Sequence, residues 1–82
     1  MTVSQFSVLT DDQKANLVYS EGVLIGLRKT FDCRILLYQL HGFYVEIWYQ
    51  PSRNIIRNFL SFTSTDRLDP YLRKLSLEGI TG

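Results

Sequence analysis

Three features of the sequence predict an α+β fold, with an N-terminal helix, an antiparallel β-meander of three or four strands and a short C-terminal helix. Its 82 residues suffice for one hydrophobic core and not for two, so residues 1–82 are expected to form a single domain. A helix start is visible near Thr10. From Cys33 to Phe62, β-branched and aromatic residues dominate and turn residues recur at regular intervals, a pattern typical of paired strands.

The N-terminal part of the chain contains one clear helix signal. Met1–Leu9 is short and mixed in character, and we interpret it as a loose arm or an edge strand. Thr10 can cap a helix, Gln13 can reach back to the cap, and two acidic residues follow the cap directly. We expect this helix to span Asp11 to about Glu21 and to stop at Gly22.

Residues 23–29 allow two interpretations. Val23, Leu24, Ile25 and Leu27 form an apolar run that indicates a strand. The same residues also fit the stripe of a helix that continues to position 29. Two glycines inside that helix would cost about 1 kcal/mol each, which favours the strand.

Three further strands are expected at Cys33–Leu40, Phe43–Gln50 and Ile55–Phe62. A two-residue turn at positions 41 and 42 joins the first two, because Gly42 tolerates a positive φ. Residues 51–54 combine Pro, Ser, Arg and Asn, and they form the second turn.

The C-terminal part of the chain is expected to fold into a loop and a short helix. Residues 63–65 are interpreted as the loop. Asp69 and Pro70 form a favourable cap and first helical position. Leu72 and Leu75 would then face the core.

The two turns set the strand register and divide the side chains between two faces of the sheet. One face is nearly all apolar, and both helices are expected to cover it. The second face mixes apolar, aromatic and polar side chains, unlike the clear alternation of a sheet with one solvated face. On it the sequence places Ile35, Leu37, Gln39, Tyr44, Glu46, Trp48, Ile55, Arg57, Phe59 and Ser61.

Two short helices cannot cover both faces of a four-stranded sheet, so the second face is expected to remain open. Exposed apolar area of this size commonly marks an interaction site. We therefore predict a non-enzymatic binding domain that forms a homo-oligomer or binds a small protein partner. In the predicted register Trp48 lies opposite Arg57, next to Glu46. The predicted interface consists of Ile35, Leu37, Tyr44, Glu46, Trp48, Arg57 and Phe59.

No arrangement of residues compels a reaction, a cofactor or a metal. His41 is the only histidine and lies in a turn, so it lacks the companions that a zinc site or a catalytic triad needs. Cys33 is the only cysteine and has no base close in sequence. The paired acids lie at helix starts, where capping explains them. We therefore predict no enzyme activity, no cofactor and no metal.

Charge and targeting signals narrow the partners and the location. A formal net charge of +1 provides no long-range attraction for nucleic acid or membranes. Single-stranded nucleic acid or a small ligand, held by aromatic rings on the same second face, is the alternative function, and so little positive charge disfavours the nucleic acid. The lone cysteine and the absence of an apolar leader or a long apolar stretch predict a cytoplasmic protein that does not span a membrane.

Overall fold

The structure is a computed structural model and describes residues 1–71. Two helices are followed by four strands that form one antiparallel sheet in the order β1-β2-β3-β4. A 3-10 helix (Thr65–Leu68) then leads into helical residues 69–71. The predicted α+β arrangement is therefore confirmed. The elements are α1 (Val3–Ser7), α2 (Asp11–Glu21), β1 (Val23–Lys29), β2 (Arg34–Leu40), β3 (Phe43–Gln50) and β4 (Ile55–Phe62).

The predicted bounds of α2, β3 and β4 are confirmed, and β2 begins one residue later than expected. Residues 23–29 form a strand and do not extend α2. At the start of α2, the backbone N–H of Gln13 donates to Oγ1 of Thr10 at 3.2 Å. The Gln13 side chain accepts from the Thr10 backbone at 3.0 Å. The predicted capping box is thus present.

The interpretation of Met1–Leu9 as an arm or an edge strand is wrong, because helix α1 forms there. Thr2 and Gln5 make a second capping box with the same spacing as Thr10 and Gln13. Phe6 in this helix is fully buried and packs on the ring of Phe43, with 5.5 Å between ring centroids. Capping and burial together stabilise a helix too short to persist alone.

The C-terminal part begins its helical course earlier than predicted. Ser64 caps the 3-10 helix by accepting from the backbone N–H of Asp66 at 3.2 Å. Asp69 has helical backbone angles and ends the 3-10 helix, so it is not the N-terminal cap that the sequence predicted. Leu72 and Leu75, predicted to face inward, lie outside the described residues.

The turn between β2 and β3 has the predicted position, but the positive φ is at a different residue from the one predicted. His41 adopts the positive φ of 54°, whereas Gly42 does not have a positive φ. The His41 ring also lies 3.2 Å from the Glu21 carboxylate, which connects this turn to the end of α2. In the next turn Asn54 takes a positive φ of 55°, which asparagine tolerates better than most residues.

The predicted register of β2 and β3 is confirmed along the whole strand pair. Between β3 and β4 the predicted pairing holds at Tyr49 and Ile56, and then a β-bulge shifts it by one residue. Arg57 is the extra residue, so Trp48 pairs with Asn58 and not with Arg57. The prediction is wrong beyond that point, since one bulge moves every following side chain to the other face.

We call the side of the sheet that packs against the helices the helix face. Helix α1 contacts β4 and helix α2 contacts β2. Because of the bulge, Phe59 and Ser61 lie on this face, where Ser61 Oγ is 3.4 Å from Ser7 Oγ of α1. The buried core between the helices and the sheet consists of Phe6, Val18, Leu40, Phe43, Val45 and Ile47.

The middle of the opposite side, which we call the second face, is covered within the chain. Residues 64–71, the C-terminal segment, cross it and bury a second cluster that contains Leu37, Phe62 and Tyr71, with Leu68 packed against it. The prediction that the second face remains open is therefore wrong. The prediction placed every helix on one side of the sheet, whereas the structure places the C-terminal segment on the other.

Candidate functional site

The residues of the predicted interface are divided among three environments. Ile35, Leu37 and Glu46 are 0%, 1% and 2% exposed, so they lie inside the folded chain. Tyr44 and Trp48 remain on the second face and are half-buried. The other two are separated from this group: Arg57 is exposed in the β4 bulge and Phe59 lies on the helix face. The structure does not bring the seven together as one open surface.

A buried polar network occupies the middle of the second face. The Tyr71 hydroxyl donates to Glu46 Oε2 at 2.8 Å, and Arg28 Nη2 lies 3.4 Å from the same oxygen. Burial and, next, the hydrogen bond to Glu46 raise the pKa of Tyr71 to about 12. Tyr71 therefore stays protonated near neutral pH and can serve as a donor to the carboxylate.

Arg28, and not Arg57, lies beside Trp48 and Glu46. Its guanidinium carbon lies 5.7 Å from the ring centre of Trp48 and 5.5 Å from that of Tyr71, and it pairs with Glu46. Arg57 instead donates to Oε1 of Gln50 at 3.1 Å. Sequence reasoning missed Arg28 because only the β2–β3 and β3–β4 turns had been used to derive a register.

A cavity of about 320 Å³ adjoins this network and is open to solvent between the sheet and the C-terminal segment. Charges of both signs line it, so it does not favour one kind of ion. The Nε atom of Arg28 and the Nε1 atom of Trp48 are buried and find no hydrogen-bond partner among the described residues. The lining residues are Arg28, Glu46, Asp66, Arg67, Asp69 and Pro70.

Among residues 1–71, exposed large apolar side chains are concentrated at strand β1, at one edge of the sheet. On the helix face, Leu24 and Leu27 pair with the partly buried Tyr38 and Leu36 of β2, which belong to the margin of the core. Helix α2 reaches this margin through Tyr19, whose ring contacts that of Tyr38. We call the exposed group the β1 patch, and its side chains are 45% to 62% exposed. The β1 patch consists of Tyr19, Val23, Leu24, Ile25 and Leu27.

A second exposed feature lies at the end of the sheet where the β1–β2 and β3–β4 turns meet. A groove of about 390 Å³, which we call the turn groove, opens there. Phe31 stands on its rim with its side chain entirely in solvent. The groove is lined by Lys29, Thr30, Phe31, Asp32, Cys33, Arg34, Pro51 and Ser52.

Cys33 lies in the turn groove without a base to activate it. Desolvation and then the neighbouring Asp32 carboxylate raise the pKa of its thiol. The thiolate, which is the nucleophile, is thus disfavoured near neutral pH. Catalytic cysteines, in contrast, have a thiol pKa below the ordinary value.

Within residues 1–71, no group of three or more His, Cys, Asp or Glu side chains is placed to hold a metal ion. In the same part of the chain, no helix combines the length and apolarity needed to cross a bilayer. Comparisons with protein-family models, with curated proteins and with solved structures find no match. The surfaces of the molecule are therefore the basis for assigning a function.

Proposed function

We propose that this protein is a non-enzymatic interaction domain that self-associates through the β1 patch. The observation that carries the proposal is an edge strand whose four large aliphatic side chains are about half exposed. The predicted mode of action, binding to a second copy, is retained, but the contact surface differs. Because Ile35, Leu37 and Glu46 are buried, the second face contributes little to a contact between folded chains.

The backbone of β1 supports the same proposal. The N–H of Thr30 donates to the carbonyl of Cys33 at 2.9 Å, which marks residues 30 and 33 as a hydrogen-bonded pair. Hydrogen-bonded and non-hydrogen-bonded pairs alternate along antiparallel strands, so the N–H and C=O groups of Leu27 and Lys29 point away from β2. A row of unpaired groups of this kind is a template for another strand.

The two edges of the sheet differ in how they are protected. The exposed positions of β4 include Arg57 and Asn58, whereas β1 exposes one cation, Lys29, together with four large aliphatic side chains. Strand β1 has a bulge between Leu24 and Gly26, and its half from Leu27 to Lys29 remains regular. We therefore propose pairing along that regular half.

The energies involved make self-association sensitive to single residues. Burying the exposed half of one aliphatic side chain contributes about 1 kcal/mol, so the four aliphatic residues from each of two copies contribute roughly 8 kcal/mol. Association costs about 4 to 15 kcal/mol in lost freedom of motion. Because these terms are comparable, loss of one residue from both copies should shift the equilibrium measurably.

Replacement of Leu27 by Lys tests the proposal. The substitution removes apolar area and places like charges against each other in a symmetric contact, so we expect the dimer dissociation constant to rise at least tenfold. Sedimentation velocity over a range of micromolar concentrations measures this change. The variant should keep the wild-type circular dichroism spectrum, because Leu27 is 45% exposed.

Val8→Lys is the matched control, since Val8 is 83% exposed and lies at the end of α1, outside the β1 patch. It adds the same charge and should leave the dissociation constant unchanged. A wild-type protein that stays monomeric at all concentrations tested would refute self-association. Equal weakening by both substitutions would show that net charge, and not the β1 patch, controls assembly.

A further inference from the structure

The turn groove combines features that neither folding nor the β1 patch explains. Phe31 is at its rim, and its relative exposure of 104% means that the ring packs against none of residues 1–71. A phenylalanine gains nothing from full hydration, and any polar residue would suit this turn better. Phe31 therefore places an exposed aromatic ring beside a groove of about 390 Å³, where a flat ligand could stack on it.

Two cations lie next to that platform. Lys29 and Arg34 are direct partners across the β1–β2 pair and therefore project from the same face of the sheet. Both are exposed, and neither forms an ion pair with a carboxylate in the part of the chain that the structure describes. Like charges placed directly opposite each other on a sheet are destabilising unless an anion lies between them.

The acidic residue of the turn groove does not neutralise this pair. Asp32 accepts a hydrogen bond from Nε2 of Gln50 at 3.3 Å, and Gln50 in turn accepts from Arg57. Tyr49 lies on the helix face, so its neighbour Gln50 points to the second face. The hydrogen bond from Gln50 therefore holds the Asp32 carboxylate on the second face, away from Lys29 and Arg34. Tyr49 is the partner of Arg34 on the helix face and adds a second ring beside the cations.

We propose that the turn groove binds a nucleotide, with Phe31 stacked on the base and with Lys29 and Arg34 holding the phosphate. Arginine and lysine are the side chains that bind phosphate, and the planar guanidinium matches two of its oxygens. The nucleotide is either free or one unit of a single strand, because both present the same base and phosphate. The site uses the side chain of Lys29, whereas the proposed strand pairing uses its backbone, so nucleotide binding does not depend on self-association.

A flat anionic membrane is a less suitable occupant than a nucleotide. A bilayer surface would engage the ring and the cations but would leave a concave groove unfilled. The turn groove is open to solvent, and its volume of about 390 Å³ is near the lower end of the range for small-ligand sites. The combination of concavity, ring and paired cations therefore favours a small planar anion.

The proposal is tested by titrating the full chain at low salt with adenosine monophosphate, a thymidine octanucleotide, inorganic phosphate and anionic lipid vesicles. Amide chemical shifts report the site, and fluorescence anisotropy of labelled ligands reports affinity. We expect both nucleotides to shift the amides of residues 29–34. Phosphate alone should bind at least tenfold more weakly, because stacking is lost.

Three substitutions separate the contributions. Phe31→Ala should weaken nucleotide binding by roughly tenfold without changing the fold, since its ring contacts none of residues 1–71. Arg34→Gln should weaken binding. It should also reduce the slope of log affinity against log salt concentration by about one, since one phosphate contact is lost. Arg67→Gln, which removes one exposed charge near the other cavity, is the matched control and should leave affinity unchanged.

The outcomes divide clearly. Binding of the octanucleotide at least tenfold tighter than the mononucleotide assigns the site to a single strand, and equal affinity assigns it to a free nucleotide. Phosphate that binds as tightly as the nucleotides, or vesicles that bind while nucleotides do not, overturns the proposal. Equal losses from Arg34→Gln and Arg67→Gln would also overturn it, because they would reflect net charge alone.

Discussion

At the residue scale, the side chain of Arg28 lies between the rings of Trp48 and Tyr71 and pairs with the buried carboxylate of Glu46. It connects edge strand β1, the centre of the sheet and the C-terminal segment. The hydroxyl of Tyr71 completes the connection by donating to the same carboxylate. The contact that holds the C-terminal segment on the second face is thus partly polar and depends on protonation.

Tyr71→Phe should lower the free energy of unfolding by about 2 kcal/mol at pH 9, because the bond to a buried carboxylate is lost. The raised pKa gives this contribution a pH dependence. Tyr71 binds its proton more tightly in the folded chain, with a pKa of about 12, than in the unfolded chain. Its contribution is therefore fully present below about pH 10 and is lost as the pH rises toward 12.

Urea titrations of the wild type and of Tyr71→Phe at several pH values measure this dependence. The difference between their free energies of unfolding should shrink from pH 9 to pH 12. A difference that stays constant over that range would mean that Tyr71 does not donate to Glu46 in solution.

At the element scale, β1 lies against the C-terminal segment at Gly26. A methyl group added there would come within 2.7 Å of Cδ1 of Tyr71, closer than van der Waals contact allows. Gly26→Ala should therefore destabilise the fold by about 2 kcal/mol, as overpacked substitutions do. Thermal or urea unfolding provides the measurement.

Gly42→Ala is the control for this substitution, because no atom lies within 4 Å of the added carbon. We expect its effect to stay within about 0.5 kcal/mol. In a Tyr71→Ala background, Gly26→Ala should also lose most of its effect, since the clashing ring is absent. A large cost that persists in that background would place the clash elsewhere.

The elements that sequence reasoning predicted well are those with local signals. Thr10 with Gln13 defined the start of α2, and a two-residue turn defined the register of β2 and β3. The bulge at Arg57 has no comparable signature, so β4 was assigned to the wrong faces beyond Ile56. The capping box of Thr2 and Gln5 was visible in the sequence and was overlooked, because helix α1 has only five residues.

At the scale of the whole molecule, the sequence correctly predicted that the second face carries aromatic and aliphatic side chains that need cover. It did not predict the source of that cover, since residues 64–71 contain only Leu68 and Tyr71 as a weak helical stripe. The C-terminal segment covers the middle of the second face, and the apolar side chains that stay exposed are those of the β1 patch. The sequence contained the β1 residues but gave no sign that α2 would leave them uncovered.

The central inference is that two copies meet through β1, while the C-terminal segment covers the middle of the second face in each copy. Amide hydrogen exchange measured above and below the concentration at which the dimer forms tests this most directly. We predict that the amides of Leu27 and Lys29 exchange more slowly in the concentrated sample, while those of β3 and β4 do not change. Slower exchange in β4 with no change in β1 would contradict self-association through β1.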